Sequence, residues 1–100
     1  MKILNYLKGG GLTIQGKEST LTVKKSRAAR GTWGIFSIEG TPCALSFLNR
    51  QSALTVASAA CTGTTDQDEA NIMARRLERH LRARSRARVF SPFLKLLSRF

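Results

Sequence analysis

The spacing of apolar residues changes once along this chain, from every second residue to every third or fourth. In the first half, residues 12–15 and 21–24 alternate apolar and polar side chains, which is typical of strands buried on one face. From residue 66 onward, apolar residues recur at helical spacing. A chain of 100 residues is long enough for one domain, so this order predicts an α+β fold.

Four or five strands are expected between residues 12 and 57, joined as an antiparallel meander. Residues 33–38 and 43–48 contain aromatic, β-branched and other apolar residues and are separated by a glycine- and proline-containing turn. Residues 53–57 are expected to add a fifth strand, although their alanines leave a helix as the alternative. Residues 1–11, which end in three glycines, are predicted to form a short N-terminal arm, either docked or frayed.

A long helix is predicted to begin near Asp66, because Glu69 follows three residues later, as in a capping box. Its buried side would pack on the sheet and complete a single domain at residues 12–83. The residues on that side are Ala70, Met73, Ala74, Leu77 and Leu81. Arg84 and Arg88 would rotate onto the same side, so the buried contact should end near Leu81. Beyond that point the helix is expected to fray, bend or project.

Residues 84–100 are predicted to form a basic connector and a short amphipathic helix, with Ser91 and Pro92 as its cap and first position. One face of this helix would be apolar, formed by Phe93, Leu96, Leu97 and Phe100. These side chains would either fold back and complete the core, or act as anchors in a groove of another protein or of a second copy of the chain. Binding to a membrane surface is a third alternative.

Positive charge is concentrated in the last third of the chain. The chain has 17 Lys and Arg against 6 Asp and Glu, and residues 71–100 contain nine of those bases but only one acid, Glu78. Arg75, Arg79, Arg82 and Arg86 centre on the side of the long helix opposite its apolar residues, with Arg76 nearby. Their spacing matches successive phosphates, which indicates a surface for nucleic acid or another polyanion. The alternative is a solvated face without a ligand.

A second basic cluster comprises Lys24, Lys25, Arg27 and Arg30 in the connection before Trp33. These cations would assist backbone binding, and Trp33 would either stack on bases beside them or pack in the core.

Several functional classes are not expected. His80 is the only histidine, and no local spacing combines a nucleophile, a base and an orienting acid, so we expect no enzyme. Asp66, Asp68 and Glu69 fit a helix start better than a metal site, and no cofactor motif is present. The sequence shows neither a signal peptide nor a membrane-spanning run, which favours a cytoplasmic protein with its two cysteines buried and reduced.

These patterns predict a small, non-enzymatic protein that binds a nucleic-acid backbone through an arginine-rich helix. They do not distinguish DNA from RNA, or single from double strands, because phosphate contacts carry no sequence information. The alternative is a modulator or inhibitor of a nucleic-acid-processing enzyme, of the phage or plasmid accessory type. It would use the basic helix together with the C-terminal amphipathic helix.

Overall fold

The computed structural model of the chain contains one five-stranded sheet and two helices. It describes residues 1–27 and 30–97, with side chains up to residue 84. The strands are β1 (Lys2–Tyr6), β2 (Leu12–Gln15), β3 (Thr20–Lys25), β4 (Trp33–Ser37) and β5 (Pro42–Phe47), and the helices are α1 (Arg50–Thr62) and α2 (Gln67–Leu97). Each strand pairs antiparallel with the next, which confirms the predicted α+β meander.

The alternation along the strands gives the sheet one helix-covered face and one open face. Leu12 pairs with Val23, and both are fully buried in the core together with Ile14. The next pair along the two strands is Thr13 with Thr22, and their hydroxyl oxygens are 3.0 Å apart on the opposite face of the sheet. A shift of one residue in this register would move the apolar set to the open face, so core burial fixes the pairing.

The N-terminal arm is docked on the sheet. Residues Lys2–Tyr6 form the edge strand β1, in which Lys2 lies opposite Gln15 and Tyr6 opposite Leu12. Ile3 and Tyr6 pack against the buried core. The fifth strand of the meander therefore comes from this segment, while the division of the chain into domains at residues 11 and 83 stays a prediction.

The prediction of a strand at residues 53–57 is wrong, because these residues lie within α1. The Asn49 side chain caps the helix by accepting a hydrogen bond of 2.8 Å from the Ser52 amide, and Gly63 ends it with a φ of 74°. The buried side of α1 recurs at helical spacing and is formed by Ala53, Leu54, Ala57, Ser58 and Cys61. Alanine has the highest helix propensity, so the alternative reading of this segment is the one realised.

The predicted start and buried side of α2 are confirmed. The Asp66 carboxylate accepts hydrogen bonds from the amides of Asp68 and Glu69, at 3.0 and 3.4 Å. Ala70, Ala74, Leu77 and Leu81 are buried, and Met73 is half-buried. However, α1 is the helix nearest the sheet, and α2 packs mainly on α1. From α2, the side chains of Leu77 and Leu81 extend into the core that both helices share with the sheet.

The prediction of a separate helix beginning at Ser91 and Pro92 is also wrong, because α2 runs without a break from Gln67 to Leu97. Proline removes one hydrogen bond from a helix, but its fixed φ of about −65° is compatible with helical backbone. At 1.5 Å per residue, the 31 residues of α2 extend about 46 Å. The anchors predicted at Phe93, Leu96 and Leu97 have side chains outside the described part, and Phe100 lies outside it entirely.

Candidate nucleic-acid interface

The meander separates most of the acids from most of the bases. In an antiparallel meander, successive connections lie at alternate ends of the sheet. The β2–β3 and β4–β5 turns share one end with the α1–α2 connection, where the Glu18 amide donates to the Cys61 carbonyl at 2.7 Å. We call this the acidic end, because five of the six acids lie there beside Lys2 and Lys17. These acids are Glu18, Glu39, Asp66, Asp68 and Glu69.

The opposite end of the domain is basic. It contains the β1–β2 and β3–β4 connections, the start of α1 and the turns of α2 that pass beside that start. Among the described side chains, eleven bases lie on or toward this basic end, and Glu78 is the single acid among them. The bases are Lys8, Lys24, Lys25, Arg27, Arg30, Arg50, Arg75, Arg76, Arg79, Arg82 and Arg84.

Arg75, Arg79 and Arg82 form what we call the arginine face of α2, and all three are exposed as predicted. Along the helix axis they are about 6 and 4.5 Å apart. Arg76 is also exposed but lies about a quarter turn from Arg75. Arg86 continues the row along the backbone of α2, and its side chain is outside the described residues.

Arg84 lies on a different side of α2 from the arginine face. Its guanidinium carbon is 4.4 Å from the centroid of the Tyr6 ring, which belongs to the edge strand β1. Leu81 is buried and residues 82–84 are exposed; side chains beyond residue 84 lie outside the described part, so the end of the buried contact near Leu81 stays a prediction. The contact places a cation against an aromatic ring about one turn beyond Leu81.

Glu78 is buried beside the arginine face and pairs with Arg50, which connects four elements of the basic end. Arg50 donates to both of its carboxylate oxygens, from Nε at 2.8 Å and from Nη2 at 2.6 Å. The Arg50 Nη1 donates to the Gly10 carbonyl at 3.0 Å, and the guanidinium carbon lies 5.5 Å from the centroid of the Trp33 ring. Arg82 adds a longer contact, with its Nε 3.3 Å from Glu78. Arg50 therefore joins α1 to α2, β4 and the β1–β2 connection.

The glycines before β2 make room for this arrangement. Gly10 has a φ of 89°, and a Cβ atom at this position would lie 2.6 Å from the Arg50 Nη1. The backbone conformation is one that other residues rarely adopt, and a Cβ atom here would also require the Arg50 guanidinium to shift.

The hydrogen bonds from Arg50 hold the pKa of Glu78 below its ordinary value, against the burial that would raise it. The positive charges of Arg50 and Arg82 lower it further. Glu78 is therefore ionised at neutral pH, and its charge is compensated within the fold. The one acid near the arginine face consequently does little to reduce the positive potential that Arg75 and Arg79 present to solvent.

The second basic cluster lies partly on the sheet and partly in the β3–β4 connection. The Lys24 Nζ lies 4.7 Å from the centroid of the Phe36 ring, and the Lys25 Nζ lies 6.0 Å from that of Trp33. Arg27 and Arg30 are exposed in the connection. Trp33 is half-buried and packs against the core cluster, so its predicted role in the core is confirmed.

Sequence reasoning missed Arg50 and the structural role of Glu78. Arg50 is the first residue of α1 and was not among the predicted site residues. Glu78 could have been noticed, because helical spacing places a single acid at the boundary between the apolar side and the arginines of α2. Its partner could not, because Arg50 is 28 residues away in the chain.

The cysteines, the possible metal ligands and the possibility of a membrane-spanning helix each bear on an expectation from the sequence. Cys61 is buried and Cys43 is exposed, and the two thiols are unpaired, so the expectation that both are buried is wrong for Cys43. No group of three or more His, Cys, Asp or Glu side chains in the described part could hold a metal ion. Neither helix, as far as its residues are described, has the length and hydropathy needed to cross a membrane.

Comparisons with protein-family models, curated proteins and solved structures found no match.

Proposed function

We propose that this protein binds the phosphate backbone of nucleic acid, without catalysing a reaction, and that its basic end makes the contacts. The observation that carries the proposal is the separation of charge described above. Among the described side chains, eleven bases share one end with a single, internally compensated acid, while the other five acids lie at the far end. Such a distribution orients the protein toward a polyanion and accelerates their encounter.

The arginine face supplies the most regular set of contacts. Between Arg75 and Arg82 it spans about 10 Å, an axial length over which one strand of B-DNA carries about three phosphates. Arg75 and Arg79 form no ion pair within the described part of the chain, so no internal contact must be broken when they bind. Arg82 is attached to Glu78 but keeps 69% of its side chain exposed.

The loop cations extend this surface around the basic end. Arg27 and Arg30 are exposed in the β3–β4 connection, which lies at the same end as the start of α1. Contacts of this kind give affinity and orientation but no base sequence preference. A cytoplasmic location, where such a ligand is accessible, is part of the proposal.

The test compares two variants with the same change in net charge. Arg75→Gln with Arg79→Gln removes two cations from the arginine face, and Lys2→Gln with Lys17→Gln removes two exposed cations from the acidic end. Glutamine is a good helix former and adds no repulsion near Glu78. Fluorescence anisotropy of labelled 20-nucleotide single strands and 20-base-pair duplexes, measured between 50 and 200 mM salt, gives affinities and salt slopes.

For the unaltered protein, affinity should fall by roughly 10³-fold across this range if about six phosphates are contacted. The arginine pair should reduce the slope of log K against log salt by about two, and the lysine pair should leave it nearly unchanged. Affinity that does not depend on salt, or equal effects of the two pairs, would contradict the proposal. Without salt-dependent binding, the protein-modulator alternative, which depends on Phe93, Leu96, Leu97 and Phe100, becomes the better hypothesis.

A further inference from the structure

The open face of the sheet carries a groove of about 500 Å³ with an apolar floor and a basic rim. The floor is formed by Phe36, Pro42 and Leu45, and the cations along the groove are Lys8, Lys24, Lys25 and Arg27. No acid is among its lining residues. The volume lies within the range of small-molecule sites, roughly 300 to 1,000 Å³. We call this cavity the sheet groove.

The strand register places the floor on the face that the helices leave open. Ile35 is buried in the core and pairs with Ala44, so the neighbouring Phe36 and Leu45 point to the other face. Phe36 lies opposite Thr22, which is also on that face. In the described part of the chain, α1 contacts the sheet from the other side, and α2 packs behind α1.

The floor depends on a glycine in β4. A Cβ atom on Gly34 would lie 2.9 Å from a side-chain carbon of Leu45 and 2.9 Å from a ring carbon of Phe36. Because Gly34 has no side chain, these two apolar groups approach each other across the space that a Cβ atom would fill. Phe36 is only 9% exposed although it lies outside the core cluster, and Lys24 covers its ring.

We propose that the sheet groove binds unpaired nucleotides of single-stranded nucleic acid. The inference rests on the proposed function and adds the strand type to it. Charge complementarity requires an anionic ligand, and the apolar floor requires one that also offers apolar surface. A duplex presents phosphates outward while its bases are stacked inside, so the floor would have no partner. A single strand exposes both phosphates and base faces, so it can meet the cations and the apolar floor together.

In this arrangement, phosphates contact Lys8 and Arg27 at the rim, and a base packs on Leu45 and Pro42. The groove opens toward the basic end, because Lys8 and Arg27 belong to the connections that form that end. A strand that leaves the groove past these two residues reaches the basic end.

The experiment uses two leucines that differ in position but give the same chemical change. Leu45 in the groove floor is 40% exposed, and Leu48, which follows β5 and does not line the groove, is 85% exposed. Leu45→Glu and Leu48→Glu each add one carboxylate. Affinities for a labelled 20-nucleotide oligothymidine and for a 20-base-pair duplex are measured by anisotropy, and circular dichroism checks that each variant is folded.

Leu45→Glu should weaken oligothymidine binding by about tenfold, because it removes apolar surface beneath the base and places a carboxylate beside the phosphates. Its effect on the duplex should be less than about threefold, and Leu48→Glu should affect both ligands equally and weakly. Equal effects of the two variants on oligothymidine would overturn the inference. So would displacement of oligothymidine by polyglutamate of equal charge as readily as by unlabelled oligothymidine, because charge alone would then explain binding.

Photo-crosslinking of the unaltered protein provides a test that no folding defect can obscure. A single-stranded oligonucleotide containing 4-thiouridine should crosslink to the tryptic peptide of residues 31–50, which contains the whole floor of the groove. Crosslinks confined to peptides of α2 would overturn the groove while leaving the arginine face supported. Absence of salt-dependent binding to any nucleic acid would instead refute the proposed function itself, so the two failures are distinguishable.

Discussion

The ion pair between Arg50 and Glu78 should contribute more to the stability of this fold than any other ion pair in its described part. Its side chains are 19% and 12% exposed, and two charge-assisted hydrogen bonds of 2.6 and 2.8 Å join them in parallel. Hydrogen bonds to charged groups contribute about 1.5–3 kcal/mol each, and the cost of removing both charges from water offsets part of that sum. We expect a coupling free energy of about 2 kcal/mol.

The perturbation is a double-mutant cycle of Arg50→Met and Glu78→Gln. Each single variant leaves one polar or charged group without its partner in a largely buried position, so each should lower the free energy of unfolding by about 2–3 kcal/mol. The double variant should lose less than the sum of the two. Urea denaturation followed by circular dichroism suits this cycle, because Trp33 lies beside Arg50 and its fluorescence would change with the substitution.

A second cycle on the same carboxylate is the control. Arg82 contacts Glu78 at 3.3 Å and is 69% exposed, so solvent screening should reduce its coupling to about 0.5 kcal/mol or less. The Arg82→Gln and Glu78→Gln cycle is therefore expected to give a much smaller value than the Arg50 cycle. Coupling below about 0.5 kcal/mol for Arg50, or equal coupling for both arginines, would refute the assignment of Arg50 as the structural partner.

Further predictions concern stability. Folding lowers the pKa of Glu78, so the contribution of its ionised carboxylate to the free energy of unfolding is complete above the unfolded pKa of about 4.3. This contribution should be lost as the pH falls below that value. Glu78→Gln should therefore reduce the decline of the free energy of unfolding at acid pH, as measured by urea titrations. Gly10→Ala should destabilise by about 1–3 kcal/mol, because alanine is strained at a φ of 89° and meets Arg50; an unchanged urea midpoint would contradict this. Leu54→Ala, at a fully buried site, should cost about 2–5 kcal/mol in the same assay. Asp66→Ala should cost about 1 kcal/mol through the lost cap of α2, with Asp66→Asn as a control that retains most of it.

The accuracy of the sequence predictions follows the range of the interactions involved. The predictions of a strand at residues 12–15 and of a helix start at Asp66 were correct, because strand alternation and capping depend on residues a few positions apart. Residues 53–57 were ambiguous locally and became helical, with Asn49 and Gly63 as caps. Lys2–Tyr6 became a strand only because β2 offers it a paired edge. The sheet groove was not predicted, because its floor joins residues from β4 and β5 with a rim from β3 and two connections.

The sequence by itself determined the α+β class, the excess of positive charge and the exposure of Arg75, Arg79 and Arg82, because each follows from composition or from the period of one element. Only the tertiary structure decided how the charged residues are placed relative to one another. The antiparallel topology brings distant turns to common ends, which gathers five acids at one end and most bases at the other. Packing of α1 against α2 gives Glu78 its partner, because two residues far apart in the chain become neighbours only after the helices meet.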